Sequence, residues 1–101
     1  MTILTKENYN KNLKSGDSIL MMLDDPGDPN CVVAKAVLKR IDQMHGKDFM
    51  VAVADITKET EILKVLEPDR IPAFIAIKNR TVKRKIYGIP TENELLDMIR
   101  I

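Results

Sequence analysis

The sequence predicts a single α/β domain in which helices cover both faces of a mixed central sheet. Three continuous apolar runs, at residues 18–23, 49–54 and 73–77, are separated by segments whose apolar residues recur at helical spacing. Short apolar runs bounded by turn residues are typical of strands that are buried on both faces. Residues 1–101 are enough for one such domain with a modest core, and too few for two.

The start of the chain predicts an edge strand followed by a helix. Residues 1–4 are a short apolar segment, and Thr5 is a candidate cap for a helix over residues 5–14. After the first buried strand, Asp28-Pro29 predicts a second helix start, because aspartate caps free amides and proline fits the first helical position.

This second helix is predicted to run to Met44 and to end at Gly46. The apolar residues expected to face the sheet are Val33, Val37, Ile41 and Met44. The polar residues expected to point outward are Lys35, Lys39, Arg40 and Gln43. With a buried strand on either side, the helix completes a βαβ unit, whose strands should be parallel with a right-handed crossover.

The second half of the chain predicts a short helix over residues 57–66, a hairpin of strands 73–77 and 81–87, and a final helix over residues 92–101. Thr57 is the candidate cap of the short helix. Asn79-Arg80 supplies a two-residue hairpin turn, and Thr91 with Glu94 forms a capping box. The predicted order of elements is βαβαββα.

Composition restricts the classes of function. The net charge of +1 indicates neither a nucleic acid nor a membrane surface as a partner. The only cysteine, Cys31, leaves no intramolecular disulfide, and the only histidine, His45, leaves no histidine metal cluster. The apolar runs are too short to cross a bilayer, and the N-terminus has no signal-peptide pattern. We therefore expect a cytoplasmic monomer with no metal and no cofactor.

Two places in the sequence carry a resemblance to the thioredoxin family. Asp28-Pro29-Asn30-Cys31 falls at a helix start where that family has Cys-x-x-Cys, and Ile71-Pro72 precedes the third core strand, where the family has a cis-proline. The resemblance covers nearly the whole chain. It implies a thioredoxin-like three-layer α/β/α fold, and a cis peptide bond before Pro72.

The departures from the family pattern bear on function. Asp28 stands in place of the first cysteine, which is the attacking thiol of the family, and Cys31 matches the second, shielded cysteine. Met22 and Val53 replace a buried acid and a nearby lysine, so the apolar core no longer offers proton transfer. Aromatic residues that flank the family motif are also replaced, one of them by Gly27.

Two hypotheses follow from this pattern. The first is an interaction module without dithiol chemistry, which binds an extended peptide through Asp28, Pro29, Asn30, Ile71 and Pro72, since the resemblance implies strand pairing at Ile71. The second is a monothiol oxidoreductase that forms mixed disulfides through Cys31 with glutathione or a protein. The first is favoured, because nothing in this chain resolves a mixed disulfide.

The environment of Cys31 can be anticipated from its neighbours. A helix N-terminus favours a thiolate, but the nearby carboxylates of Asp24, Asp25 and Asp28 disfavour it. A free cysteine is usually a small buried apolar residue, so we expect an inert thiol against an apolar wall from Met22. The three aspartates lack the ligand number of a calcium loop, and a solvated loop is expected.

One basic cluster remains, formed by Lys78, Arg80, Lys83, Arg84 and Lys85. Contact with phosphate is one interpretation. Protection of an edge strand against sheet-to-sheet pairing is the other, and it is favoured because it requires no ligand. The cluster contains no interleaved aromatic residues on which single-stranded nucleic acid would stack.

Overall fold

The computed structural model describes residues 1–14 and 16–100. The strands are β1 Thr2–Ile3, β2 Ile19–Asp24, β3 Met50–Asp55, β4 Ala73–Lys78 and β5 Thr81–Tyr87. The helices are α1 Tyr9–Leu13, α2 Pro29–His45, α3 Thr60–Leu66 and α4 Glu92–Ile99. The predicted α/β class is confirmed, and the short first strand at the sheet edge is present.

The five strands form one mixed sheet in the order β1-β3-β2-β4-β5. The central strand, β2, is parallel to β3 and antiparallel to β4, and all of its residues are buried. Met22 therefore lies between Val53 on β3 and Phe74 on β4. Both faces of β2 are covered, and this explains why its sequence is a continuous apolar run.

Two apolar layers pack on opposite faces of the sheet. Leu20 and Met22 belong to the layer under α2 and α4, together with Leu38, Phe74 and Leu95. The intervening residues of β2 face the layer under α1 and α3: Ile19, Met21 and Leu23. The alternation follows from the two-residue period of a strand, and it produces a three-layer α/β/α arrangement.

Helix α2 begins where it was predicted, but its inward face differs from the predicted one. Asp28 is the N-cap, and its side chain accepts a hydrogen bond from the Asn30 amide at 2.8 Å. The prediction was wrong for Val33 and Met44, which are 52% and 70% exposed. The residues of this helix that are buried against the sheet are Cys31, Ala34, Val37, Leu38 and Ile41. The small side chain of Ala34 suits close packing against the sheet.

The prediction for α1 was wrong at its start. The Asn8 side chain accepts from the Thr5 amide at 2.8 Å and donates to the Ile3 carbonyl at 3.0 Å. These local bonds hold a turn instead of a helix before Tyr9, since asparagine side chains compete with helical hydrogen bonding. The Thr5 hydroxyl accepts from the Asn8 amide at 3.3 Å, but this bond belongs to the turn, and the N-cap of α1 is Asn8.

The predicted start of α3 was also wrong. Thr57 does not cap it, because both its amide and its hydroxyl donate to Asp55 Oδ1, at 2.9 and 2.6 Å. The helix begins three residues later, with Glu59 at the N-cap position and no side-chain cap. It ends at Leu66, and the following C-cap residue, Glu67, has a left-handed φ of 45°.

The hairpin and the last helix follow the sequence signals. Asn79 and Arg80 both have positive φ, at 51° and 66°, as a two-residue hairpin turn requires. Thr91 and Glu94 form the predicted capping box of α4. This helix is observed to Ile99, and its predicted end at Ile101 lies outside the described residues.

Candidate functional site

The predicted site residues lie near the end of the central strand, β2. Leu23, near the end of β2, pairs with Ala73 at the start of β4. The loop that follows β2 and the Ile71-Pro72 segment that precedes β4 therefore lie side by side. The Ile71–Pro72 peptide bond is cis, and Pro72 is buried. The structure thus places Asp28 and Pro72, far apart in sequence, at the same end of the molecule.

The loop between β2 and α2 is organised by its own aspartates. Asp25 accepts from the Gly27 amide through Oδ1 at 2.9 Å, and its carbonyl accepts from the Asp28 amide at 3.0 Å. Asp28 then caps α2 through Asn30. These bonds direct Pro29 and Asn30 outward, and both are exposed at the helix start.

Cys31 is fully buried beneath this loop, as a free thiol. It lies in the apolar layer that contains Met22 and against which Val53 packs, so the predicted apolar wall is present. Burial raises the pKa of the Cys31 thiol, and the charges of Asp28, Asp24 and Asp25 raise it further. A hydrogen bond with the Asp25 backbone opposes these effects only in part. The geometry favours a neutral, shielded thiol.

Sequence analysis missed the place of Asp24 in the candidate site. It was expected in a solvated loop, but it is the last residue of β2 and is 1% exposed. Because β2 side chains alternate, Asp24 shares the face of Met22 and meets α2. Its Oδ2 forms an ion pair with Lys35 Nζ at 2.5 Å. The prediction that Lys35 points outward was therefore wrong, because its side chain turns to the buried Asp24.

This ion pair joins the end of the central strand to the second turn of α2. It borders a cleft of about 330 Å³, which Asp55 and Lys58 also line. Hydrogen bonds from Thr57 lower the pKa of Asp55, and the charges of Lys58 and Lys35 lower it further. No sequence motif could have revealed the ion pair, since Asp24 and Lys35 belong to different elements that only the tertiary fold brings together.

Exposed apolar side chains surround the sheet end that holds Pro72. The Gly88 amide donates to the Pro72 carbonyl at 2.9 Å, so Ile89, which is 50% exposed, lies beside Pro72. Ile71 is partly exposed, and Pro29 is exposed. Val33 completes the group from α2. We call Pro29, Val33, Ile71 and Ile89 the docking surface.

The side of α2 that carries Val33 can be fixed from its neighbours along the helix. Val33, Val37 and Arg40 are spaced four and three residues apart and therefore share one side of α2. Arg40 forms an ion pair with Glu92, the first residue of α4. Val33 accordingly lies on the side of α2 nearest α4 and the preceding Ile89. The adjacent Val32, 59% exposed, lies about 100° around the helix from it.

Other kinds of site find no support in the described part of the chain. Within residues 1–14 and 16–100, no group of three or more histidine, cysteine, aspartate or glutamate residues is placed to hold a metal ion. No helix over those residues combines the length and apolar character needed to cross a membrane. The ring of His45 stacks on Phe49, and its Nδ1 is 3.4 Å from Asp48 Oδ2. The cytoplasmic location and the monomeric state stay predictions.

Comparison with solved structures identifies the fold. Mitochondrial thioredoxin 3 from Saccharomyces cerevisiae, in its oxidized form, is similar with a TM-score of 0.87 and 21% identity, over 99% of this chain and 93% of that chain. A yeast structure described as the basis of thiol resolution in mitochondrial 1-Cys peroxiredoxin via glutathione/thioredoxin systems gives 0.87 and 20%, with the same coverage. No family model and no curated protein matches the chain. The chain has a thioredoxin-like fold.

Proposed function

We propose that this protein is a binding module that has no dithiol reaction and that docks a segment of a partner protein on the docking surface. The observation that carries the proposal is an exposed apolar surface around a site whose only thiol is buried. Exposed apolar patches next to polar rims are typical of protein-binding sites. The rim here is supplied by Asp28 and Asn30 at the start of α2.

The chemistry of the rim indicates the kind of segment that would bind. Asp25 and Asp28 place carboxylates beside the apolar side chains, and the Lys35 ammonium on α2 is paired with Asp24. A segment with apolar residues and an adjacent lysine or arginine therefore complements the surface. We infer an extended segment that runs past Ile71 and Pro72, as expected for strand pairing at the start of β4.

The alternative function is a monothiol oxidoreductase that acts through Cys31. It would require the buried Cys31 thiol to reach a disulfide and to ionise near neutral pH. The burial of Cys31 and the three neighbouring aspartates oppose both steps. The binding module is therefore the better supported function.

A reduction assay tests the chemical part of the proposal. The protein should fail to reduce insulin disulfides in the presence of a regenerating thiol system, because aspartate occupies the position of the attacking thiol. Cys31→Ser provides the matched variant and should give the same background rate. Turnover above background that Cys31→Ser abolishes would overturn the proposal in favour of the monothiol reaction.

A peptide-binding experiment tests the surface itself. Peptides selected from a random library on the immobilised protein should be apolar with a flanking basic residue. NMR shift changes on binding should centre on residues 29–33, 71–72 and 88–89. Val33→Ser and Ile89→Ser should each weaken binding by about fivefold or more, the loss expected for one buried aliphatic contact. Val32→Ser, a valine of similar exposure on another side of α2, should change it by less than about twofold.

A different pattern in this experiment would contradict the proposed surface. Equal losses for Val32→Ser and Val33→Ser would place the binding site elsewhere on α2. Selected peptides whose shift changes avoid residues 71–72 would remove the sheet end from the site.

A further inference from the structure

We propose that the outer edge of β5 binds an acidic, extended protein segment, which adds to the sheet as a sixth strand. The charged part of this site, the hairpin around Asn79-Arg80, lies at the opposite end of β4 from the docking surface. Pro72 lies before the start of β4, whereas the Asn79-Arg80 turn follows its end. The six residues of β4 separate this turn from Pro72 by about 20 Å, at 3.3 Å per residue. The other end of β5 approaches the docking surface, because Tyr87 pairs with Ala73 beside Pro72.

The first observation is the concentration of positive charge. Residues 78–85 contain five of the 16 basic residues and none of the 15 acidic ones, so the rest of the chain carries a net charge of −4. Among the described residues, no ion pair involves Lys78, Arg80, Lys83 or Arg84. These four side chains are also exposed. The near-neutral chain thus carries an uncompensated basic hairpin.

The second observation is a free strand edge. β5 is seven residues long and is the last strand in the order, so no described strand pairs with its outer side. The Gly88 amide bonds inward to the Pro72 carbonyl, and Ile86 pairs with Phe74. In an antiparallel ladder the inward bonds alternate, so Lys85 and Tyr87 direct their N–H and C=O groups away from β4. Those groups are available to an added strand.

Charge complementarity indicates which kind of chain would bind at the outer edge of β5. A second copy of β5 would bring a second group of five cations against the first, which opposes self-pairing. A strand that carries glutamate or aspartate meets both the free backbone groups and the unpaired cations. Single-stranded nucleic acid is less well matched, because Tyr87, the only aromatic residue of the strand, is partly buried with Arg70 over its ring.

Edge protection alone does not account for this arrangement. Ala76 pairs with Arg84 and Ile77 with Val82, so Lys83 is an extra residue at a β-bulge. The bulge and the charged side chains both blunt the edge against uncontrolled pairing. The four exposed cations also repel one another, and they provide the excess charge that an acidic partner would neutralise.

The test uses a seven-residue peptide of alternating glutamate and valine, which matches β5 in length. At low salt it should bind, and it should slow hydrogen exchange at the amides of Lys85 and Tyr87. Lys83→Glu/Arg84→Glu should weaken binding by about tenfold or more, because two attractions become two repulsions. The matched control Lys39→Glu/Lys64→Glu makes the same change in net charge at exposed sites elsewhere and should weaken binding by less than about threefold.

Several outcomes would overturn the proposal. They are no binding at low salt, equal losses in the two charge variants, and no protection of the Lys85 and Tyr87 amides. Tighter binding of an oligothymidylate than of the acidic peptide would instead assign the patch to nucleic acid. Val33→Ser should leave this binding unchanged, so the test fails or succeeds independently of the docking surface.

Discussion

At the scale of single residues, the Asp24–Lys35 pair is the interaction on which the site depends most. Asp24 is buried, its Oδ2 contacts Lys35, and its Oδ1 has no hydrogen-bond partner among the described residues. A buried carboxylate left without its counter-charge is strongly destabilising, whereas the intact pair contributes little net stability. The pair therefore matters mainly for holding α2 and the Asp25–Asp28 loop against the end of β2.

Lys35→Met should lower the free energy of unfolding by about 3 kcal/mol, because it removes the one ion-pair partner that a buried carboxylate has within residues 1–14 and 16–100. Urea denaturation at neutral pH measures the change. Lys39→Met, an exposed lysine on the same helix, is the control and should change stability by less than about 0.5 kcal/mol. A loss for Lys35→Met no greater than for the control would mean that Asp24 is solvated.

Cys31 makes stability depend on pH in the alkaline range. Burial, with help from Asp28, Asp24 and Asp25, raises the pKa of its thiol in the folded state. The stabilisation is fully present below the ordinary thiol pKa of about 8.5, and it is lost as the pH rises toward the folded pKa.

The unfolding free energy of the wild type should therefore fall more steeply than that of Cys31→Ala above about pH 8.5, by up to ~1.4 kcal/mol per pH unit. Chemical denaturation of both proteins at each pH isolates this effect from Tyr9, whose pKa burial also raises. In the native state at neutral pH, alkylation of Cys31 should be slow. Parallel stability curves, or fast alkylation, would show that the thiol is not shielded.

At the scale of elements, two substitutions of Asp28 at the start of α2 distinguish the capping role of its side chain from the effect of its charge. Asp28→Ala removes the hydrogen bond to the Asn30 amide and should cost about 1 kcal/mol. Asp28→Asn keeps a capping oxygen and should cost much less. Both variants should lower the pKa of Cys31, because the Asp28 charge raises it. Thermal unfolding and the pH dependence of alkylation measure the two effects. Equal destabilisation by both substitutions would contradict the capping role.

The same elements show what the sequence could predict. The strands were predictable because continuous apolar runs have few other stable placements, and Asp28-Pro29 marks a helix start by local chemistry alone. The inward face of α2 was not predictable, because its sequence contains two apolar stripes at helical spacing and either of them could face the sheet. The predicted stripe through Val33 and Met44 has the larger side chains, but packing against the sheet selects the stripe through Ala34.

The candidate site was predictable only where it rests on local or pattern signals. Asp28 and Pro72 lie at one end of the sheet as their positions in the pattern implied. The Asp24–Lys35 ion pair was missed, since a charged residue at the end of an apolar run looks like the start of a loop. The exposed Val33 was missed for the opposite reason, because an apolar residue at helical spacing looks like core.

At the scale of the whole molecule, the two helical layers differ in how firmly they cover the sheet. The layer under α2 and α4 includes a helix of 17 residues with five buried side chains. In the opposite layer, α1 has five residues and none of them is buried, and α3 has seven residues with two buried. Short helices with little buried apolar surface open locally at low free-energy cost.

Native-state hydrogen exchange should therefore show two classes of amide. Those of β2, buried and paired on both sides, should exchange only through global unfolding, whereas those of α1 should exchange through local opening, at least about a hundredfold faster. Lys35→Met provides a second check. It should speed exchange in β2 by lowering global stability, and it should leave α1 unchanged, because local opening of α1 does not break the Asp24–Lys35 pair. Amides of α1 that exchange as slowly as those of β2 would show that both layers unfold as one unit.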